Sequence, residues 1–353
     1  MMDRRNAALA LFSLGAAAYC LRVTAQARRP DKPYRIGLLP DLTSEELDWF
    51  AEVMKALGWL EDRDFTFFRS GLTSLSHVAA VPTRMATAPP QFRQESIAQS
   101  TGRLLDRKPD LILATSTAYA VAAHRASADI PVVMWTGGYP VEAGIANSLA
   151  RPGKNVTGVS IYAGTGIWGK LVELLRDTKP SIKRVGVLWD YTPPAFPAEE
   201  MEQCRREFSK AEAALGVKIQ IIELDGADRL PSALVALDAA RPDALVMTSG
   251  WSPHDVRQRI MSYAAHKRLP VIVDFRWRSL VDPYPLLVYG ASQRELMQNA
   301  GRYVVQILQG AKPGDLPVLQ PTRFELVVNL RTARVLDLAV PQSVLLRADE
   351  VIR

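Results

Sequence analysis

Several short phrases of the chain place hydroxyl, aromatic and acidic residues directly behind apolar runs. Thr115, Ser116, Thr117 and Tyr119 follow the run 111–114, and Thr248, Ser249 and Trp251 follow 244–247. Asp41 follows 34–39, Thr136 and Tyr139 follow 132–135, Trp189 and Asp190 follow 185–188, and Asp274 follows 271–273. Hydroxyls and helix-opening amides can hold a carboxylate without a metal. Aromatic rings can cover the apolar part of a small molecule, and a carboxylate can meet an amine. Together these residue types suit non-covalent capture of a small organic ligand. Each hydroxyl is equally well placed to cap a helix; the collection at one edge carries more weight than any member.

Other chemistries find little support. The four histidines, His77, His124, His254 and His266, form no metal-binding pair with one another or with a cysteine. There is no G-x-S-x-G elbow and no G-x-x-x-x-G-K-S/T loop. Gly164, Gly166 and Gly169 lack the strand that precedes a nucleotide-binding turn. The pairs Glu45–Glu46 and Glu199–Glu200 open predicted helices, where acids suit the helix dipole. No catalytic residue, metal or cofactor is expected.

The elements that must position these residues follow from pattern. Short apolar runs alternating with helical stretches predict parallel strands with crossover helices, and in such sheets ligands bind beyond the carboxyl ends of the strands. The phrase 108–136 (KPDLILATSTAYAVAAHRASADIPVVMWT) returns as 241–251 (RPDALVMTSGW) and 269–275 (LPVIVDF), and 34–39 (YRIGLL) returns as 183–188 (KRVGVL). The chain thus holds two α/β halves of one plan. Strands are predicted at 34–39, 65–69, 111–114, 132–135, 155–161, 185–189, 218–223, 244–248, 271–274, 286–289 and 324–328. Helices are predicted at 44–57, 95–105, 142–149, 166–175, 198–215, 231–239, 253–266 and 292–309, with Asn329 as a further N-cap. The proline-containing stretch 71–92 reads as an inserted surface loop. Residues 30–157 with 289–318 should form one lobe, and 158–288 with 319–353 the other.

The first 27 residues differ from the rest. Arg4 and Arg5 precede an apolar run, 7–21, and Ala25-Gln26-Ala27 is a small-x-small cleavage pattern. This reads as a secretory signal peptide, too short in its apolar run for a membrane span. Tyr19 before Cys20 argues against a lipoprotein, and the residues after Arg4-Arg5 match a twin-arginine signal poorly. Removing 1–27 lowers the net charge from +6 to +4. No basic stripe with interleaved aromatics appears, so no nucleic-acid partner is expected. Cys204 is then the one remaining cysteine and cannot form an internal disulfide.

Three stretches carry a resemblance: RPGKNVTGVS (151–160), QPTRFELVVNLRTARVLDLAVP (320–341) and LLRADEVI (345–352). They resemble the ABC transporter substrate-binding protein family that includes tryptophan- and tyrosine-binding members, and the likeness extends over about 34–352. The resemblance implies a type I periplasmic-binding fold: α/β, two Rossmann-like lobes, a three-segment hinge and closure on a small ligand. It implies that the turn Thr115–Ala118 faces that ligand. The family often reads G-D-P-V where this chain has Gly138-Tyr139-Pro140-Val141, and W-N-P where it has Trp189-Asp190-Tyr191. On this reading a carboxylate has been exchanged across the cleft.

The expected function is therefore that of a monomeric periplasmic receptor. It captures an amino acid, an aromatic acid or another small carboxylate and passes it to an ABC permease in the inner membrane. A ligand sensor reporting to a membrane kinase and an enzyme on the same doubly wound fold remain alternatives.

Overall fold

The computed structural model describes residues 32–42, 44–71, 90–162, 166–190, 198–224, 227–248, 254–274 and 285–353. The predicted signal peptide and most of the predicted insertion lie outside the described residues.

Apolar runs made the strands, and the central ones are covered on both faces. The first sheet holds β1 (Tyr34–Leu39), β2 (Phe65–Arg69), β3 (Leu111–Ala114), β4 (Val132–Gly137) and β5 (Val156–Ser160), all parallel in the order β2-β1-β3-β4-β5. The second holds β6 (Arg184–Asp190), β7 (Lys218–Leu224), β8 (Ala244–Met247), β9 (Val271–Val273), β10 (Leu287–Ala291), β11 (Phe324–Asn329) and β12 (Glu350–Ile352), in the order β12-β11-β10-β9-β8-β6-β7. Every pairing in it is parallel except β10 with β11. All residues of β3, β8 and β9 are buried, which is why they read as unbroken apolar runs. The order β2-β1-β3-β4 is reproduced by β7-β6-β8-β9, so the repeated phrase is a repeated topology.

The repeated acids have the same structural duty in each half. Asp110 accepts from the Arg35 amide at 2.7 Å and returns its own N–H to the Arg35 carbonyl at 2.8 Å. Asp243 accepts from the Lys183 and Arg184 amides, both at 2.9 Å, and returns its N–H to the Arg184 carbonyl. Each clamps the first strand of its half to the start of the third.

The helices are α1 (Ser44–Ala56), α2 (Pro90–Asp106), α3 (Thr117–Ala126), α4 (Ile167–Thr178), α5 (Ala198–Leu215), α6 (Leu230–Ala240), α7 (His254–His266), α8 (Gln293–Leu308), α9 (Leu330–Val335) and α10 (Gln342–Leu345). α2 begins at Pro90, where a missing N–H costs nothing. α8 follows a strand of the second sheet yet packs on the first, with Leu296, Met297, Ala300 and Val304 in one cluster with Phe50 and Leu38. Gly301 permits that approach, since a Cβ there would lie 2.7 Å from a Val53 methyl. The chain passes between sheets after Ser160, after Ala291 and between Leu319 and Phe324. The first two crossings fall slightly beyond the expected 157 and 289. Cys204 is buried in the second core beside Trp168 and Phe208.

One expected helix is absent. Residues 140–144 form a turn, and 145–149 continue as bends and irregular chain. Tyr139 (φ 54°) and Gly144 (φ 72°) are left-handed, and the Ile145 and Ala146 amides both return to the Pro140 carbonyl. Those bonds close tight turns and leave no register for a helix. Among the described residues no helix is long and apolar enough to cross a membrane.

Candidate functional site

The strand ends of the first sheet are tied together by the residues expected there. Ser116 is the N-cap of α3, accepting from the Tyr119 amide at 3.5 Å. The Thr117 hydroxyl accepts from the Gly138 amide at 2.8 Å and donates to the Gly138 carbonyl. The Thr136 hydroxyl donates to the Thr115 carbonyl, and the Thr115 amide donates to the Leu39 carbonyl at 3.1 Å. These bonds lace the ends of β1, β3 and β4. Asp41 has a similar duty: Oδ1 accepts from the Ser70 amide at 2.6 Å, the Ser70 hydroxyl at 3.0 Å and the Gly71 amide at 3.2 Å. It joins the turn after β1 to the end of β2. For Ser116, Thr117, Thr136 and Asp41 the local structural duty is thus explicit, while α3 still presents its opening amides at this edge. Tyr119 is buried in the core between α3 and the sheet.

The end of β4 is shaped by an irregularity. Its pairing with β5 shifts between Met134 and Gly137, which re-aims the residues that follow. β5 can approach there because of Gly158, whose φ is +143° and whose Cβ would lie 2.0 Å from the Met134 carbonyl oxygen. After the shift, the Tyr139 ring lies 5.1 Å from Tyr162, tilted by 34°, and Gly138 leaves room for Tyr162, since a Cβ would fall 2.8 Å from its ring. Tyr162 lies 5.9 Å from Trp168, and Trp168 lies 4.9 Å from Trp189. A chain of rings therefore links the end of β4 to the end of β6.

The second sheet places its candidates unevenly. Trp189, expected as a ring at the cleft edge, is 1% exposed and packs against Trp168 and Phe208. It shares a strand face with Val187 and Val185, so strand alternation turns it into the core. The Thr248 amide donates to the Leu188 carbonyl at 3.2 Å, and its hydroxyl approaches the same oxygen at 3.4 Å. Asp274 ends β9 and is buried. Asp190 is the last residue of β6, while Ser249 and Trp251 lie outside the described residues. Sequence reasoning missed Ser70 and Tyr162; of these Tyr162 alone carried a signal, as the aromatic residue just past a predicted crossing strand. Among the described residues no cluster of His, Cys, Asp or Glu could hold a metal ion.

Two α/β lobes, each built on its own largely parallel sheet and linked by three chain crossings, define the type I periplasmic-binding fold. The family model for ABC transporter substrate binding proteins matches residues 84–352, and the chain belongs to that family. A tyrosine-binding protein of Clostridioides difficile (strain R20291) is 29% identical over 240 residues, which span 67% of this chain and 65% of that relative. The ABC domain in complex with L-Trp from Streptococcus pneumonia superposes with a TM-score of 0.71 at 23% identity, covering 91% of this chain and all of that one. The ligand-free, open structure of a substrate binding protein with adhesive properties from Clostridium difficile gives a TM-score of 0.62 at 21% identity, covering 91% of this chain and 99% of that one.

Proposed function

We propose that this chain is a monomeric periplasmic receptor of an ABC importer that captures an aromatic amino acid or a closely related small carboxylate by closing its lobes. The reading is supported by polar residues at the strand ends of two separate sheets and by the rings Tyr139, Tyr162, Trp168 and Trp189 that link the end of β4 to the end of β6. The tyrosine-binding relative and the L-Trp-bound structural neighbour support the ligand class. On this reading the amides opening α3 receive the anionic end of the ligand, Tyr139 lies by its apolar part, and the second lobe supplies acidic residues for an amine. The two lobes, with their first two boundaries at the crossings after Ser160 and Ala291, act as the closing bodies, and an inner-membrane permease receives the ligand. The basic start, apolar run and Ala25-Gln26-Ala27 support export with cleavage before Arg28.

Thermal unfolding with L-tryptophan, L-tyrosine, L-phenylalanine and non-aromatic controls tests the proposal. A ligand at about 100 times its Kd stabilises by about 2.7 kcal/mol, which for a chain of this size raises Tm by about 4 °C. Aromatic amino acids that leave Tm unchanged at millimolar concentration would refute it.

A further inference from the structure

The start of α8 departs from the cap its sequence spells. Ser292 is the N-cap and accepts from the Glu295 amide at 3.5 Å. Serine followed three residues later by glutamate is the pattern of a capping box, in which the glutamate reaches back to the serine amide. Here the Ser292 amide is taken by the Arg323 carbonyl at 2.9 Å, and the Glu295 carboxylate is engaged by the third crossing. Oε1 accepts from the Thr322 hydroxyl at 2.5 Å and Oε2 from the Arg323 amide at 2.9 Å, while the Thr322 amide lies 3.3 Å from both oxygens. An acid in the first turn suits the helix dipole wherever its oxygens are bound, so the start of α8 does not call for these partners.

The two ends of this tie belong to different lobes. α8 packs in the first core through Leu296, Met297 and Ala300, whereas Thr322 and Arg323 lead into β11 of the second sheet. Beside it, the Ser292 hydroxyl donates to Glu325 of β11 at 2.7 Å. On its other side the third crossing is held to the first. The Ser160 amide donates to the Leu319 carbonyl at 2.7 Å, the Leu319 amide to the Gly158 carbonyl at 2.9 Å, and the Gln320 side chain to the Tyr162 carbonyl at 3.3 Å. Between the two sets of bonds stands Pro321, buried and with its φ fixed by the ring. The crossings therefore form one hydrogen-bonded strap and not three separate strings.

Building on the receptor reading, we infer that Glu295 is a positioning residue for lobe closure. By tying the start of α8 to the third crossing it fixes the axis about which the lobes turn, and the ligand-free receptor samples a narrow range of lobe angles. Without the tie, other arrangements compete with those that can close on a ligand, and apparent affinity falls with the fraction of competent molecules. Bonds to a carboxylate are the strong kind, and the length of glutamate is required. Aspartate keeps an acid at the helix start but is a methylene too short for the crossing.

Spin labels at Glu52→Cys on α1 and Val235→Cys on α6, both exposed, report the distance between the lobes. In the chain from Arg28 the remaining cysteine, Cys204, is buried. Double electron–electron resonance without ligand should give a narrow distribution when Glu295 is present and a clearly broader one for Glu295→Ala and Glu295→Asp. Glu295→Gln should stay close to the first, because its side-chain oxygen still accepts from the Arg323 amide. Isothermal titration with L-tryptophan should give a Kd raised about fivefold or more for the Ala and Asp variants, with all saturated proteins sharing one label distance. Broadening by Glu295→Ala but not by Glu295→Asp would reduce the residue to a helix-start acid and overturn the inference. Distributions that all match would overturn it too, as would broadening with no loss of affinity. Should Glu295→Ala fail to fold, the comparison of Asp with Gln decides. Failure of the unsubstituted protein to bind L-tryptophan would refute the receptor reading for that ligand, and the ligand-free distributions would still decide whether Glu295 sets the lobe angle.

Discussion

Thr117→Val removes one hydroxyl and keeps nearly the same side-chain shape. Thr117 is 4% exposed, and its hydroxyl satisfies both the amide and the carbonyl of Gly138, 21 residues away. Valine leaves both Gly138 groups without that partner. Each buried polar group stripped of its bond costs about 1–3 kcal/mol, so the pair should cost about 2–4 kcal/mol once valine's easier burial is allowed for. In a chain of this length that corresponds to a fall in Tm of about 3–6 °C. Ser116→Ala is the matched control. It deletes a cap whose single bond is 3.5 Å long and should cost about 1 kcal/mol or less. Thr117→Ser keeps the hydroxyl and should stay within about 1 kcal/mol of wild type, losing one methyl. Thermal unfolding by circular dichroism reads all three. A Thr117→Val protein melting within 2 °C of wild type, by the scale above, or melting above Ser116→Ala, would show that the lacing of β3 to β4 does not depend on this hydroxyl.

Gly158→Ala should destabilise by at least about 3 kcal/mol in urea unfolding, because its Cβ would lie 2.0 Å from the Met134 carbonyl oxygen and its φ is +143°. Asn329→Ala removes acceptance from the Arg331 and Thr332 amides and should cost about 0.5–2 kcal/mol by the same measurement. Burial alone would raise the Asp243 carboxyl, but the Lys183 and Arg184 amides and the Arg184 guanidinium overcome it and hold the group below the usual carboxylate value. Its stabilising contribution is thus present above the unfolded-state pKa of about 3.9 and is lost as pH falls through the lower folded value. Asp243→Asn should flatten the stability profile between pH 5 and 2, and an unchanged acid limb would contradict this. Intact-mass measurement on protein from its native host should give a chain beginning at Arg28; a species retaining 1–27 counts against export by cleavage.

The parts of the fold legible from sequence are those written within a few residues. β3, β8 and β9 announced themselves as unbroken apolar runs because both faces of a parallel sheet are covered. Ser292 and Asn329 announced helix starts because a cap acts on amides two or three residues away. The turn and bends at 142–149 were not legible, because left-handed Tyr139 and the return of two amides to Pro140 override a sequence with ordinary helical composition.

For the candidate site the division is similar. By itself the sequence determined two halves of one plan and the strand-end positions of the polar residues, while the matching clamps of Asp110 and Asp243 came only with the structure. Only the tertiary structure decided what those residues touch. Thr117 is spent on Gly138, Asp41 on Ser70 across 29 residues, and Trp189 turns into the core. The physical reason is one of range. Periodicity and capping are local, whereas the partner of a hydroxyl and the side of a strand that meets the core depend on how separate elements pack against each other.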